Sequence, residues 1–181
     1  MADMMDKWVL FLAVDGFDAK AFQVLWECFG NLNASTRIAS FNADEEIRDK
    51  DGLVNTHSDM SFAEASEQPA DVIVVADDVT ANAIVDSLAA TTALTEAADR
   101  NAAIVSINDG ATALIAAGII DGMTIAAPQE LKEQLENAGA KLSDEPMAIN
   151  NNIFSARDGA DLQKLCNLVS DYITTKREEA A

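Results

Sequence analysis

The chain is short of the side chains that carry most chemistry near neutral pH. It has one histidine, His57, and two cysteines, Cys28 and Cys166, far apart in 181 residues. That excludes a zinc centre of the usual Cys/His spacing. Bases are scarce as well: 12 Lys and Arg stand against 31 Asp and Glu, a net charge of −19. Such a surface repels phosphate backbones and anionic lipid, so neither nucleic acid nor membrane is expected as a partner. No apolar run reaches the roughly 18–20 residues that span a bilayer. The start "MADMMDKWVLFLAV" puts acids and one Lys ahead of a short apolar run, a poor signal peptide, and the run is read as a first core strand. No G-x-G-x-x-G follows a strand, and G-x-x-x-x-G-K-[ST] and G-x-S-x-G are absent, which argues against dinucleotide binding, a phosphate-loop NTPase and an ordinary serine hydrolase. No cofactor is expected.

What is present is an apolar, strand–helix chain. Apolar residues make up 49% of it, enough for one sizeable core, and no linker or composition shift divides residues 1–181, which read as a single domain. "WVLFLAV" (8–14), "TRIASFN" (36–42), "DVIVVADD" (71–78) and "AAIVSIND" read as strands. "MTIAAP" and the two halves of "EPMAINNNIFSAR" add short ones. Helices fall between them: one after "DGFDAK" stopped by Gly30, an Ala-rich one over 80–100, a short one closed by Gly118, one ending at Gly139, and a terminal one with a charged tail. Residues 43–70 read as irregular, with "GLVNTHSDMSF" as a short hairpin or edge strand. The alternation implies an α/β fold: a mostly parallel sheet with helices on both faces, a three-layer sandwich. The acid excess fits either a salt-adapted surface or ordinary acidic solubilisation. Cys28 and Cys166 read as two small core residues, unpaired, in a chain expected to be cytoplasmic.

Ligands of such sheets gather beyond the carboxyl ends of the strands. Those ends carry Asp15-Gly16, Ala76-Asp77-Asp78 and Asn108-Asp109-Gly110, with no Ser, Cys, His or Lys nucleophile. Ser106 points the same way as Asn108 but lower, into a packed layer. If Asp15, Asp77, Asp78 and Asp109 converge, a hard cation such as Mg²⁺ or Ca²⁺ is a candidate ligand. The plainer reading makes Asp78 and Asp109 helix caps and Asp15-Gly16 a turn. Asp109 is also a candidate base. His57 reads as an exposed hairpin residue, Trp26 as a core or dimer anchor, Arg157 as a candidate carboxylate binder, and Asn150-Asn151-Asn152 as a turn.

Five segments together resemble the ThiJ/PfpI superfamily: "VLFLAVDGFDAKAF", "GLVNTHSDMSFAEA", "ADVIVVADD", "AIVSINDGATALIAAGIIDGMTIAAP" and "LENAGAKLSDEPMAINNNIFSAR". The resemblance implies a flavodoxin-like sandwich of the class I glutamine amidotransferase-like kind and a homodimer. It places the family's cysteine nucleophile at Asn108 and the histidine after it at Asp109, ahead of Gly110. It places the acid of the first helix at Ala21 and the glycine pair that offers backbone N–H groups at Asp77-Asp78. Asn tolerates the left-handed conformation of a strand-to-helix elbow, but a carboxamide is a poor nucleophile. The expectation is a non-catalytic, dimeric binding or scaffold protein with a small-molecule site at the strand ends. The alternative is an enzyme acting on a small carbonyl compound or peptide through groups such as Asp109, or through a cation held by the four acids.

Overall fold

The computed structural model describes residues 2–180. In chain order the elements are β1 (Trp8–Leu12), α1 (Ala19–Asn31), β2 (Ser35–Ser40), β3 (Glu46–Arg48), β4 (Asn55–His57), β5 (Met60–Ser61), α2 (Phe62–Glu67), β6 (Val72–Val75), α3 (Asp78–Ile84), α4 (Leu88–Asp99), β7 (Ala103–Ile107), α5 (Ala111–Ala117), β8 (Thr124–Ile125), α6 (Lys132–Asn137), β9 (Lys141–Leu142), β10 (Met147–Asn150), β11 (Ile153–Ala156) and α7 (Leu162–Ala180). Seven strands form the central sheet in the order β10-β11-β7-β6-β1-β2-β5, parallel except where β10 turns back on β11. The expected α/β sandwich is the fold.

Strand alternation divides the core into two layers. Val9, Phe11, Val72, Val74, Val105 and Phe154 face one side, where α1 and α7 lay down Phe22, Leu25, Phe29, Leu165 and Val169. Leu10, Leu12, Ile73, Val75, Ile104 and Ile153 face the other, against Ile84, Leu94 and Leu114 of α3, α4 and α5.

Several local expectations give way. The helix expected over 80–100 is two, because Ser87 caps α4 by accepting a hydrogen bond from the Ala90 N–H at 3.2 Å. A serine that can bond its own backbone favours a helix start over a helix interior. Gly30 does not stop α1, which runs on to Asn31; the left-handed turn falls at Asn33, φ 66°. Residues 43–70 hold more order than expected. Antiparallel β3 and β4 make the hairpin, with His57 exposed on it, and β5 leads into α2. Ser61 and Glu64 close α2 with a reciprocal capping box, whose S-x-x-E signature is in the sequence.

The cysteines are the clearest correction. Cys28 on α1 and Cys166 on α7 form a disulfide across the helix layer. Both side chains are buried as expected, but the fold apposes them, and the absence of a short Cys spacing hid that. Cysteine burial therefore no longer argues for a reducing compartment, and the cytoplasmic expectation loses that support. Among the described residues no helix is long and apolar enough to cross a membrane.

The bond closes a loop of sequence separation 138. Loop-closure entropy for that length stabilises by about 4–5 kcal/mol, which for a domain of this size is a melting shift of about 10–15 °C. Calorimetry with and without a dithiol reductant checks this; a melting temperature that does not fall on reduction refutes it.

Candidate functional site

Three strands end side by side and hand the chain to helices. After β7 the chain enters a 3₁₀ turn, Asn108–Gly110, and then α5. Asn108 has φ 54°, in the left-handed region expected of an elbow residue. Gly110 has an ordinary negative φ and is required for another reason: a Cβ there would overlap the carbonyl of Val75 on β6. The elbow is thus built from one residue that accepts the turn and one that lets the two strand ends touch.

A cleft of about 360 Å³ opens above this elbow. Asp77, Asp78, Asn108 and Asp109 form one wall; Asp18, Lys20 and Ala21 at the start of α1 form another, with Lys50 reaching in from the β3–β4 hairpin. Pro128 and Gly159 complete it. Ala21 offers no polar atom where the resemblance places an acid.

The acids are not equivalent. Asp77, only 3% exposed, is the N-cap of α3, accepting from the Thr80 N–H at 2.8 Å. Burial pushes its carboxyl above the usual range; the Thr80 bonds oppose this and the charge of Asp78 adds to it. The expected cap at Asp78 belongs one residue earlier, and Asp78 is the exposed first residue of the helix. Asp109 makes no cap bond. Burial pushes its carboxyl up, followed by the charges of Asp78 and Glu130. Asp18 goes the other way: burial would raise it, but the Lys50 ammonium at 2.6 Å and the Lys20 N–H hold it low.

The remaining candidates lie elsewhere. Asp15 does not line the cleft; its carboxylate accepts from the Arg48 N–H at 2.9 Å and ties the β1 turn to the hairpin. Among the described residues no three Asp, Glu, His or Cys side chains are placed to hold a metal ion. Arg157 is exposed and pairs with its neighbour Asp158 at 3.2 Å; only Gly159 of that segment reaches the cleft. Ser106 is fully buried, and its Oγ has no hydrogen-bond partner among the described residues. Trp26 packs against the core and stacks on Phe22, ring centroids 5.4 Å apart. Asn151 takes the turn at φ 52°. Asn150 instead bonds both backbone groups of Thr124, and Asn152 donates to the Ala102 carbonyl.

Asp18, Lys20 and Lys50 are cleft residues that the sequence did not single out. Asp18 and Lys20 had a usable signal, since an Asp just ahead of an apolar helix is an N-cap. Lys50 had none. It arrives because the Lys50 N–H donates to the Phe17 carbonyl and Phe17 bridges Asp49.

Residues 7–171 match the DJ-1/PfpI family. The chain belongs to the DJ-1/PfpI family. Solved structures agree on the fold. DJ-1beta of Drosophila melanogaster matches with TM-score 0.82 at 18% identity, over 95% of this chain and 92% of that one. A ThiJ/PfpI domain protein of Brachyspira murdochii matches with TM-score 0.81 at 17% identity, over 94% and 98%. A two-domain protein of Anabaena variabilis, with DJ-1/ThiJ/PfpI-like and ferritin-like domains, matches with TM-score 0.82 at 18% identity. There the match takes in 95% of this chain but 48% of that one. No curated protein matches.

The raised Asp109 carboxyl has a sign. A carboxyl whose folded pKa lies above its unfolded value of about 4 binds protons more readily in the folded state, so it costs stability as pH rises through that window. Asp109→Asn is therefore expected to raise the melting temperature at pH 7, with the gain fading below about pH 4, where both states are protonated. Thermal melts between pH 3.5 and 8 check this; a gain that persists unchanged at the acid end contradicts it.

Proposed function

We propose that this DJ-1/PfpI-family protein is non-catalytic: a dimeric binding or scaffold protein whose cleft at the strand ends takes a small molecule. The observation that carries the reading is the elbow. Asn108 holds the left-handed turn, and among the described residues no Ser, Cys or His lines the cleft above it. A carboxamide is a poor nucleophile. The three acids of that wall disfavour a thiolate or an oxyanion beside them. Neither cysteine lines the cleft, and both are joined in the disulfide.

One observation favours a second reading. The raised Asp109 carboxyl, facing the cleft beside Asp78, has the character of a general base or acid. That reading is a hydrolase- or lyase-like enzyme acting on a small carbonyl compound or peptide. The divalent-cation version is the weaker one, because Asp15 stands apart from the other three acids.

The homodimer interface of this reading is the groove between α1, β2 and the hairpin. The half-buried Trp26 and the edge of the core residue Phe22 border a groove of about 240 Å³ with Ile38 and Val54, and Val24, further round the same helix, is 44% exposed. Apolar surface of this kind on a soluble chain meets a partner. Light scattering at micromolar concentration is expected to give twice the 19.3 kDa chain mass; the monomer mass alone defeats the assignment.

The elbow reading is tested by Asn108→Cys, whose thiol is then the sole free one. With Asp78 and Asp109 nearby, its pKa is expected above the free value of about 8.5. Iodoacetamide labelling at pH 7 should be slower than for free cysteine and should speed up when Asp109→Asn is added. Labelling faster than free cysteine would show that the elbow still activates a nucleophile.

A further inference from the structure

We propose that the Cys28–Cys166 disulfide is a redox-operated tether that fixes the cleft, by clamping together the two helices that lead away from it. The leading end of α1 supplies Asp18, Lys20 and Ala21 to the cleft wall, and Gly159 supplies the wall just before α7 begins. Cys28 stands near the far end of α1 and Cys166 in the second turn of α7. The bond therefore joins the cleft's two helical supports at a distance from the cleft itself. A helix moves as a rod, so freeing α1 from α7 at Cys28 lets it pivot and carry Lys20 and Ala21 with it. The proposal goes beyond the binding reading, since it concerns the geometry of the cleft whatever the cleft does.

The surroundings of the bond suit controlled reduction. The sulfurs are shielded: Cys28 is 4% exposed and Cys166 fully buried. The exposed side chain of Gln163, on α7, donates its Nε2 to Cys28 Sγ at 3.0 Å and to Asn167 at 3.3 Å. Gln163 is thus a cover over the more accessible sulfur. A dithiol reductant meets Cys28 first. Its thiolate attacks Cys28 Sγ, the S–S bond breaks, and the Cys166 thiolate leaves and takes a proton. The reductant's second thiolate then displaces the Cys28 thiolate, which is protonated, and the reductant departs as its own disulfide. The protein gains two electrons and two protons. With only two cysteines in the chain, reoxidation within it has a single outcome.

Amide hydrogen exchange by mass spectrometry tests the tether on three samples: air-oxidised protein, dithiothreitol-reduced protein, and the Cys28→Ser/Cys166→Ser variant. Reduction is expected to speed exchange at residues 18–22 and 158–163 by about tenfold or more, with β1, β6 and β7 unchanged, as in a sub-global opening. The variant should exchange like reduced protein and ignore dithiothreitol; if it does not fold, the reduced wild-type chain carries the comparison alone. Gln163→Ala should raise the reduction rate severalfold without changing exchange in the oxidised state. Unchanged exchange at both cleft segments overturns the proposal, as does acceleration spread evenly over the sheet. Two titratable thiols in denatured, never-reduced protein also overturn it.

Discussion

The site depends on the close approach of two strand ends, β6 and β7, at the point where β7 must become a helix. The Val75 carbonyl leaves no room for a Cβ at residue 110. With Gly110 pressed against β6, the reversal has to be completed one or two residues earlier, and Asn108 takes it in the left-handed region. That conformation costs an ordinary residue of order 1 kcal/mol or more, and Asn among the least. The elbow, the start of α5 and the floor of the cleft all follow from that contact. None of them needs a nucleophile at residue 108. The shape of a reactive site and its chemistry are separable here, because one is set by backbone packing and the other by a single side chain.

Electrostatics then sets what the shaped cleft can do. Four acids and two lysines line it, and one lysine is already spent on Asp18. Asp77 is held by the Thr80 N–H as a cap, while Asp78 and Asp109 face each other's charge. In a chain of net charge −19 the surrounding field has the same sign. An anionic intermediate finds little support in such a place. The lysines enter from α1 and from the hairpin, so the local charge balance depends on how those two segments are held, α1 in turn by the disulfide to α7.

The fold was legible because its signals are local and redundant. Continuous apolar runs at 8–14 and 71–78, with helices between them, specify a covered parallel sheet with little ambiguity. The elbow was legible too, since Asn-Asp-Gly after a buried strand is a turn with few solutions. The errors have two causes. Ser87 broke a helix that propensity alone would have continued, and Ser61 and Glu64 started one inside a polar stretch, because capping is decided by single side chains. The cysteine pair, the removal of Asp15 from the acid cluster and the arrival of Lys50 are long-range facts. They turn on how α1 packs against α7 and where the hairpin folds back, and no spacing in the chain records either.

The central proposal is that the elbow keeps its geometry without catalysis. The direct measurement is turnover of a small dicarbonyl compound by the wild-type protein, by Asn108→Ala and by Asp109→Asn, each against buffer. The account predicts four indistinguishable rates. A wild-type rate above buffer that disappears in either variant would contradict it.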